Sequence, residues 1–437
     1  MRLLMAAVFV ASLGACGSPA RDTGDGGAGT ADACSGLECR VEDCAARNMP
    51  PTTITGTVYA PNGTLALYGA TVYVPNGDPG PLTDGVACTR CQNTLPGGSV
   101  ANTVSGSAGE FTLTDVPSGR NIPLVIQIGK WRRQVDIVDV QACTANVVPA
   151  TLTSLPKNRN QGDLPRIAIA TGQCDALECL VKKIGVDASE FTPDSGPGRV
   201  HLFASNGANQ IAGGATLGTA ASLWGDLDKL KQYDVALFSC ECGPRPAEKT
   251  QAMMDNVKAF ADLGGRVFMS HYHNIWIDGE VGVPAHAPAV WPGIADCSAD
   301  STVSGNGIID TVNNPKGAAF SAWMQVVAAT ATTGQFPILE GKQTCNSIDT
   351  FKAERWVYAQ SGSTQYPQIF QFSTPNEAPE ADRCGKVVMS DMHVASGSTS
   401  NSGTGFPSGC SSAAMTAQEK ALAFMIFDIS SCVGPIF

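Results

Sequence analysis

The sequence predicts a multidomain β plus α/β protein: an antiparallel β-sandwich over 52–150, then a doubly wound, mostly parallel, flavodoxin-like sheet over 166–437. Three observations predict it. The chain has 437 residues, more than one domain usually holds, and 43% of them are hydrophobic, enough for two cores. Between 52 and 150, short runs alternate apolar and polar residues between Gly/Pro turns. After Pro165, apolar strand-like runs alternate with helix-like segments, the pattern of βαβ units.

Taken in order, the chain opens with a positive Met1-Arg2, a mostly apolar stretch from Leu3 to Leu13, and Leu13-Gly14-Ala15-Cys16. The stretch is shorter than the roughly 20 residues a spanning helix needs, so 1–16 reads as a cleaved signal. It resembles the signals of bacterial lipoproteins. That resemblance implies cleavage before Cys16 and acylation of its thiol and amine, which meets the two-chain requirement for stable anchoring. Gly17 is not the Asp that marks inner-membrane retention in such proteins, so the resemblance favours the outer membrane or cell surface. Residues 17–33 are Gly, Ala, Asp, Ser and Thr apart from Pro19 and Arg21, and read as a flexible tether. In 34–51, Cys34, Cys39 and Cys44 follow at five-residue steps with no His near them, so a small disulfide-stapled segment is expected rather than a zinc site.

Charge and cysteine content narrow the classes. The net charge is −11, with 28 basic residues and 15% charged residues overall, which excludes nucleic acid as a partner. The one basic cluster, Lys130-Trp131-Arg132-Arg133, reads as a solvated strand face with Trp131 covered by its neighbours. Sixteen cysteines fit an oxidising compartment. Setting Cys16 aside leaves an odd number, so at least one thiol is free, metal-bound or intermolecular.

Within 52–150, Ile54, Gly56 and Val58 alternate with polar residues, Thr71-Val72-Tyr73-Val74 is β-branched and aromatic, Phe111 and Leu113 alternate with Thr, and Ile126 and Ile128 flank Gln127. Ile54-Thr55-Gly56-Thr57-Val58, Gly69-Ala70-Thr71-Val72 and Gly109-Glu110-Phe111-Thr112-Leu113-Thr114-Asp115-Val116-Pro117-Ser118-Gly119 resemble the carboxypeptidase regulatory-like domain. This implies a transthyretin-like sandwich and no catalytic group. A long insertion, about 75–105, carries Cys88-Thr89-Arg90-Cys91. It lies in a Gly/Pro-rich loop of an all-β region, away from the helix start a redox CxxC uses, so a structural disulfide is expected.

Residues 151–165 read as a linker. Beyond it, strands are expected at Arg166–Thr171, Val200–Ala204, Asp234–Ser239, Arg266–Ser270 and Lys386–Ser390. Helices are expected at Leu177–Ile184, Leu223–Tyr233, Ala247–Leu263 and Ala417–Ile429, with an unassigned insertion at about 274–365. Cys240 and Cys242 are expected to pair with strand-end or loop cysteines such as Cys174 and Cys179, a reactive thiol being the alternative. Cys384, Cys410 and Cys432 are expected to tie the carboxyl-terminal region, and Cys297 and Cys345 the insertion.

In a doubly wound sheet, ligands bind at the carboxyl ends of the strands. Three of the five His residues, His271, His273 and His393, fall on two such ends. Tyr233-Asp234-Val235-Ala236-Leu237-Phe238-Ser239, Gly264-Gly265-Arg266-Val267-Phe268-Met269-Ser270-His271 and Lys386-Val387-Val388-Met389-Ser390-Asp391-Met392-His393 resemble the class I glutamine amidotransferase-like fold. The resemblance implies a nucleophile elbow at Ser270-His271 and puts His393 at the family's catalytic His. The elbow has no Cys, and Cys240 lies one strand too early, so glutaminase chemistry, which needs a thiolate beside an imidazole, is not expected. Ile122-Pro123-Leu124-Val125, Gly129-Lys130-Trp131-Arg132-Arg133, Gly265-Arg266-Val267-Phe268 and Gln418-Glu419-Lys420-Ala421-Leu422 with Phe427-Asp428 resemble a family of extracellular lipoproteins from myxobacteria and their relatives, which implies location and fold but no reaction.

Two functions from different classes follow. One is a membrane-anchored binding or scaffolding lipoprotein whose partner is a glycan or another surface protein. The other is an extracellular hydrolase. In it, Ser270, His271 and His393 are the candidate catalytic groups, and His271, His273, Asp391 and His393 the ligands of a divalent metal such as zinc. The i, i+2 spacing would bring these side chains to one side if the strands continue that far. Binding is the preferred reading.

Overall fold

Alternation between 52 and 150 builds two small sheets. In one, Thr53–Thr57 lies between Glu110–Thr114, antiparallel, and Ala145–Val147, parallel. The other is antiparallel throughout, in the order Ser99–Val104, Thr71–Pro75, Gly119–Ile128, Trp131–Val140. Ile54 faces Leu113 across the first pair, and these side chains enter one apolar core with Val72, Leu124 and Ile126 of the second sheet. Gly109 makes the turn before the Phe111 strand at φ +75, where a Cβ would stand 2.6 Å from the Val58 carbonyl oxygen. The structure, a computed structural model, describes residues 34–91, 94–278 and 290–434. The expected signal at 1–16, lipidation at Cys16 and tether at 17–33 lie outside the described residues.

The second sheet system is built on five main parallel strands in the order Val200–Ala204, Ile167–Thr171, Val235–Phe238, Arg266–Ser270, Gly385–Ser390, with the short strands Phe191–Thr192 and Gly218–Thr219 pairing in parallel with Val200–Ala204. In chain order this is 2-1-3-4-5, the flavodoxin-like arrangement. The strands are buried on both faces, which explains their unbroken apolar runs: Ile167 and Ile169 enter one core, Ala168 and Ala170 the other. The insertion left unassigned by the sequence is largely a continuation of this sheet. Thr364–Thr374, Glu354–Ser361, Ser301–Ile309 and Gln335–Gln343 add an antiparallel wing beyond Gly385–Ser390. No helix among the described residues is long and apolar enough to cross a membrane.

The helices follow their caps. Thr416 and Glu419 form a capping box at the start of Ala417–Ser430, a helix buried along nearly its whole length. Thr250 caps Gln251–Asp262, whose apolar residues Met254, Val257 and Phe260 face the sheet. The single helix expected at Leu223–Tyr233 is two: Ala220–Trp224 and Leu227–Leu230. Asp226 breaks it by accepting from the Lys229 amide at 3.0 Å as a new N-cap.

Residues from Gly36 onward cluster as one body. The basic cluster helps to join its parts and is not a solvated face. Trp131 is fully buried and packs on Phe427, with ring centroids 5.9 Å apart. Lys130 holds the Asp234 carboxylate, and Arg132, itself buried, holds Asp163 at 2.8 Å. Replacing Trp131 by alanine is expected to cost about 3–5 kcal/mol, since the ring fills the seam between the β module and the α/β sheet. Urea denaturation followed by far-UV dichroism measures it.

Disulfides complete the seam. Cys88 and Cys91 do not bond each other: Cys88 bonds Cys384 and Cys91 bonds Cys432, so each half of the CxxC bolts the loop to the α/β unit. Cys44 bonds Cys143, Cys174 bonds Cys242, Cys179 bonds Cys410, and Cys297 bonds Cys345 inside the insertion as expected. Cys34 and Cys39 are disulfide-bonded as well. Among the described residues Cys240 alone is free, and it is buried. Such a dense set of disulfides fits an extracytoplasmic protein.

Candidate functional site

The carboxyl ends of the parallel strands gather a buried polar cluster. Strand Arg266–Ser270 ends at Ser270, and His271 takes a left-handed backbone, φ 47, before a short turn of helix over His271–Asn274. A bulky residue in this conformation at a strand-to-helix turn is a strained elbow. Here it turns an imidazole toward the neighbouring strand end, where Cys240 Sγ lies 3.3 Å from His271 Nδ1. His393, just past strand Gly385–Ser390, brings its ring to 5.1 Å from that of His271, centroid to centroid. One ligand atom from each of Cys240, His271 and His393 lies within 4.8 Å of the others, and all three residues are buried.

Rigid neighbours hold the thiol in place. Gly172, at the end of the first strand, lets its loop lie against the Ser239-Cys240 backbone: a Cβ there would stand 2.2 Å from the Cys240 carbonyl oxygen. That carbonyl accepts from the Cys174 amide at 3.1 Å, and the Cys174–Cys242 disulfide closes the loop two residues on. Between them, Glu241 forms a buried ion pair with Lys249 and accepts from Ser205.

The four residues expected to share a metal divide. His271 and His393 meet, but His273 and Asp391 do not join them. The strand stops at Ser270, so the turn at His271 cancels the i, i+2 alternation and sends His273 elsewhere. His273 Nδ1 accepts from the Trp276 indole at 2.8 Å, and its Nε2 donates to the Ser239 carbonyl at 3.0 Å. The Asp391 carboxylate accepts from the Thr344 and Cys345 amides at 2.9 and 3.3 Å and from the Thr344 hydroxyl. These donors come from the insertion, whose placement over the site the sequence did not reveal. Ser270 donates to the Asp175 carboxylate at 2.6 Å, not to an imidazole, so a serine–histidine nucleophile does not form here. Cys240 is the member the sequence reading missed. The odd cysteine count and its place at a strand end beside the elbow were the available signals.

Burial sets the charge states. It pushes the Cys240 thiol up to about 12, and the His271 imidazole, with His393 and Lys342 nearby, down to about 2. It also lowers His393 to about 4. At neutral pH the cluster therefore holds a thiol and two neutral imidazoles, and not the thiolate–imidazolium pair of a cysteine nucleophile.

No protein-family model matches the chain, and no curated protein is found to match it. Among solved structures, a thua-like protein from Bacteroides uniformis covers 60% of this chain and 90% of its own at 13% identity, with a TM-score of 0.32. A type II cohesin–X-dockerin complex from Acetivibrio cellulolyticus covers 33% of this chain and 78% of its own at 16% identity, with a TM-score of 0.17.

One buried acid beneath the strand ends makes stability depend on pH. Burial raises the Glu178 carboxyl from 4.5 to about 7. A group whose folded pKa lies above its unfolded value adds stability that is complete below the unfolded pKa and is lost as pH rises through the folded one. Stability is thus expected to fall by on the order of 3 kcal/mol between pH 4.5 and 7 on account of this group. Urea midpoints across that range should fall less steeply in Glu178→Gln than in the wild type.

Proposed function

We propose that the protein is an extracytoplasmic binding lipoprotein, anchored through Cys16, that takes a small polyhydroxylated ligand of the sugar class. Its α/β unit serves as a non-catalytic scaffold of the amidotransferase-like kind. In this reading the two small sheets are a transthyretin-like sandwich of the carboxypeptidase regulatory-like type, and the anchor faces the outer membrane or cell surface, as in the myxobacterial lipoproteins the sequence resembles.

The observation that carries the binding role is a cavity of about 580 Å³ between the β module and the α/β unit. Tyr68, Trp323, Phe424 and Phe427 give it aromatic walls, while Gln371, Lys316 and Asp428 supply polar groups. Gln371 Oε1 is buried without a hydrogen-bond partner. Asp428 is held by Lys316 at 2.6 Å, with Lys386 3.8 Å away. Those two ammonium groups outweigh burial and keep its carboxyl below the usual range. Few polar groups set in an apolar, concave wall are what a small-molecule site uses, and the mixture of aromatic faces and acceptors suits hydroxyl donors on an apolar ring. The strand-end cluster supports the non-catalytic part, since its elbow carries an imidazole and its thiol is buried and protonated.

Glycan-array screening followed by calorimetry on the detergent-solubilised protein tests this. Saturable binding of one sugar class, weakened about tenfold or more by Tyr68→Ala at unchanged melting temperature, is the expected result. A flat response to every glycan removes the sugar assignment.

A further inference from the structure

We propose that Cys240, His271 and His393 form a binding site for a thiophilic first-row transition-metal ion, zinc(II) or copper. The site is separate from the cavity described above. Its residues come from three adjacent parallel strands: Cys240 follows Val235–Phe238, His271 follows Arg266–Ser270, and His393 follows Gly385–Ser390.

Four observations converge on it. First, the donor set is one thiolate sulfur and two imidazole nitrogens, which suits zinc and copper and does not suit magnesium or calcium, which take oxygen. Second, the 3.3 Å between Cys240 Sγ and His271 Nδ1 is near the ~3.5 Å separating a sulfur and a nitrogen bound to one tetrahedral ion. Third, His271 Nε2 and His393 Nε2 are buried without any hydrogen-bond partner. The two residues are 3% and 2% exposed, and an orphaned buried polar atom costs about 1–3 kcal/mol. A bound ion would give His393 Nε2 a partner, while His271 would bind through Nδ1, the nitrogen that faces Cys240 Sγ. Fourth, Cys240 stays reduced while every other described cysteine is disulfide-bonded, including Cys242 two residues away. The Cys174–Cys242 bond takes up the cysteine two residues on, and metal ligation would protect a thiol in an oxidising compartment.

Neutral imidazoles are the form that binds a metal, and the thiol must lose its proton to do so. Binding is therefore Cys240–SH + M(II) → Cys240–S–M(II) + H⁺, with the proton released to solvent and no change of oxidation state. Copper(I) follows the same balance with one unit less charge. Three protein ligands leave a fourth position, as in zinc sites that bind a water or a further ligand.

The test uses the full chain, exported, solubilised in detergent and stripped with a chelator. Cobalt(II) alone is the optical probe. One equivalent should bind and give a thiolate-to-cobalt charge-transfer band in the near ultraviolet. Zinc(II) or copper(I) should abolish it, and elemental mass spectrometry of the unstripped protein should identify which ion is resident. Cys240→Ser should remove the band, His393→Ala should weaken cobalt binding about tenfold or more, and His201→Ala, a buried histidine outside the cluster, should leave both unchanged. Near-ultraviolet dichroism checks that each variant is folded. If the folded wild type shows no charge-transfer band at stoichiometric cobalt, or if folded Cys240→Ser retains it, the assignment is overturned. Should Cys240→Ser fail to fold, methylthiolation of the wild-type thiol takes its place, with the same two outcomes.

Discussion

Lys249→Met is expected to destabilise the protein by about 3–5 kcal/mol at neutral pH. Lys249 and Glu241 have side chains 0% and 1% exposed, and their charges face each other with almost no water. Burial alone would push the Glu241 carboxyl up, but the Lys249 ammonium and the Ser205 hydroxyl hold the group ionised at neutral pH, where His273, pushed by burial down to about 4, is uncharged. Removing the ammonium, which lies 5.5 Å from the centre of the Trp224 ring, leaves that carboxylate buried beside a neutral His273, whose Nε2 is 3.8 Å away. Removing both charges is a different matter, because the cost of desolvating two ions disappears with them. Lys249→Met/Glu241→Gln is therefore expected to recover most of the loss. Urea unfolding of the wild type, both single variants and the double variant measures the coupling. A Lys249→Met protein as stable as the wild type would show that the ammonium is not what neutralises Glu241.

Cutting a bolt between the β module and the α/β unit should have an effect of similar size. Cys91→Ala/Cys432→Ala is expected to cost about 2–5 kcal/mol, because even with Cys88–Cys384 intact the bond closes a further loop, through residues 384–432, in the unfolded chain. Cys91 and Cys432 are 341 residues apart in sequence, and both border the cavity. The same variant is therefore expected to lose ligand affinity as well as stability, and to become sensitive to limited proteolysis within the 75–105 insertion. Denaturation without reductant, together with a timed protease digest, tests both. If neither changes, the ion pairs Lys130–Asp234 and Arg199–Asp84 hold the seam without the bond.

Much of the α/β unit was legible because its strands are buried on both faces. Unbroken runs such as Ile167–Thr171 and Arg266–Ser270 admit few other readings, and the caps at Thr250 and Thr416 mark their helices clearly. The antiparallel wing was not legible. Ser301–Ile309 is largely exposed and rich in Ser and Gly, so its strand state comes from pairing with its neighbours and not from local preference. The basic cluster misled for a related reason. Lys130 and Arg132 look solvated in isolation; Lys130 becomes half-buried and Arg132 buried only because Asp234 and Asp163 approach from distant segments.

At the site, three histidines pointed to the right strand ends, yet the spacing rule failed at His271. Its left-handed backbone ends the strand one residue before alternation would have carried His273 to the same side. Nor did spacing reveal that Asp391 would be occupied by Thr344, which lies 47 positions away in sequence. Disulfide pairing was equally hidden. Cys240 and Cys242 are two residues apart and look equivalent in sequence, but only Cys242 meets Cys174, while Cys240 points toward two imidazoles.

The metal site depends on Cys240 carrying a free thiol beside His271 and His393. The most direct measurement is alkylation of the protein under denaturing conditions without reductant, followed by peptide mass spectrometry. Apart from Cys16, one alkylated cysteine is expected, in the peptide that contains Cys240, with Cys174 and Cys242 recovered as a disulfide. Recovery of Cys240 in a disulfide, with Cys174 or Cys242 alkylated in its place, would contradict the account.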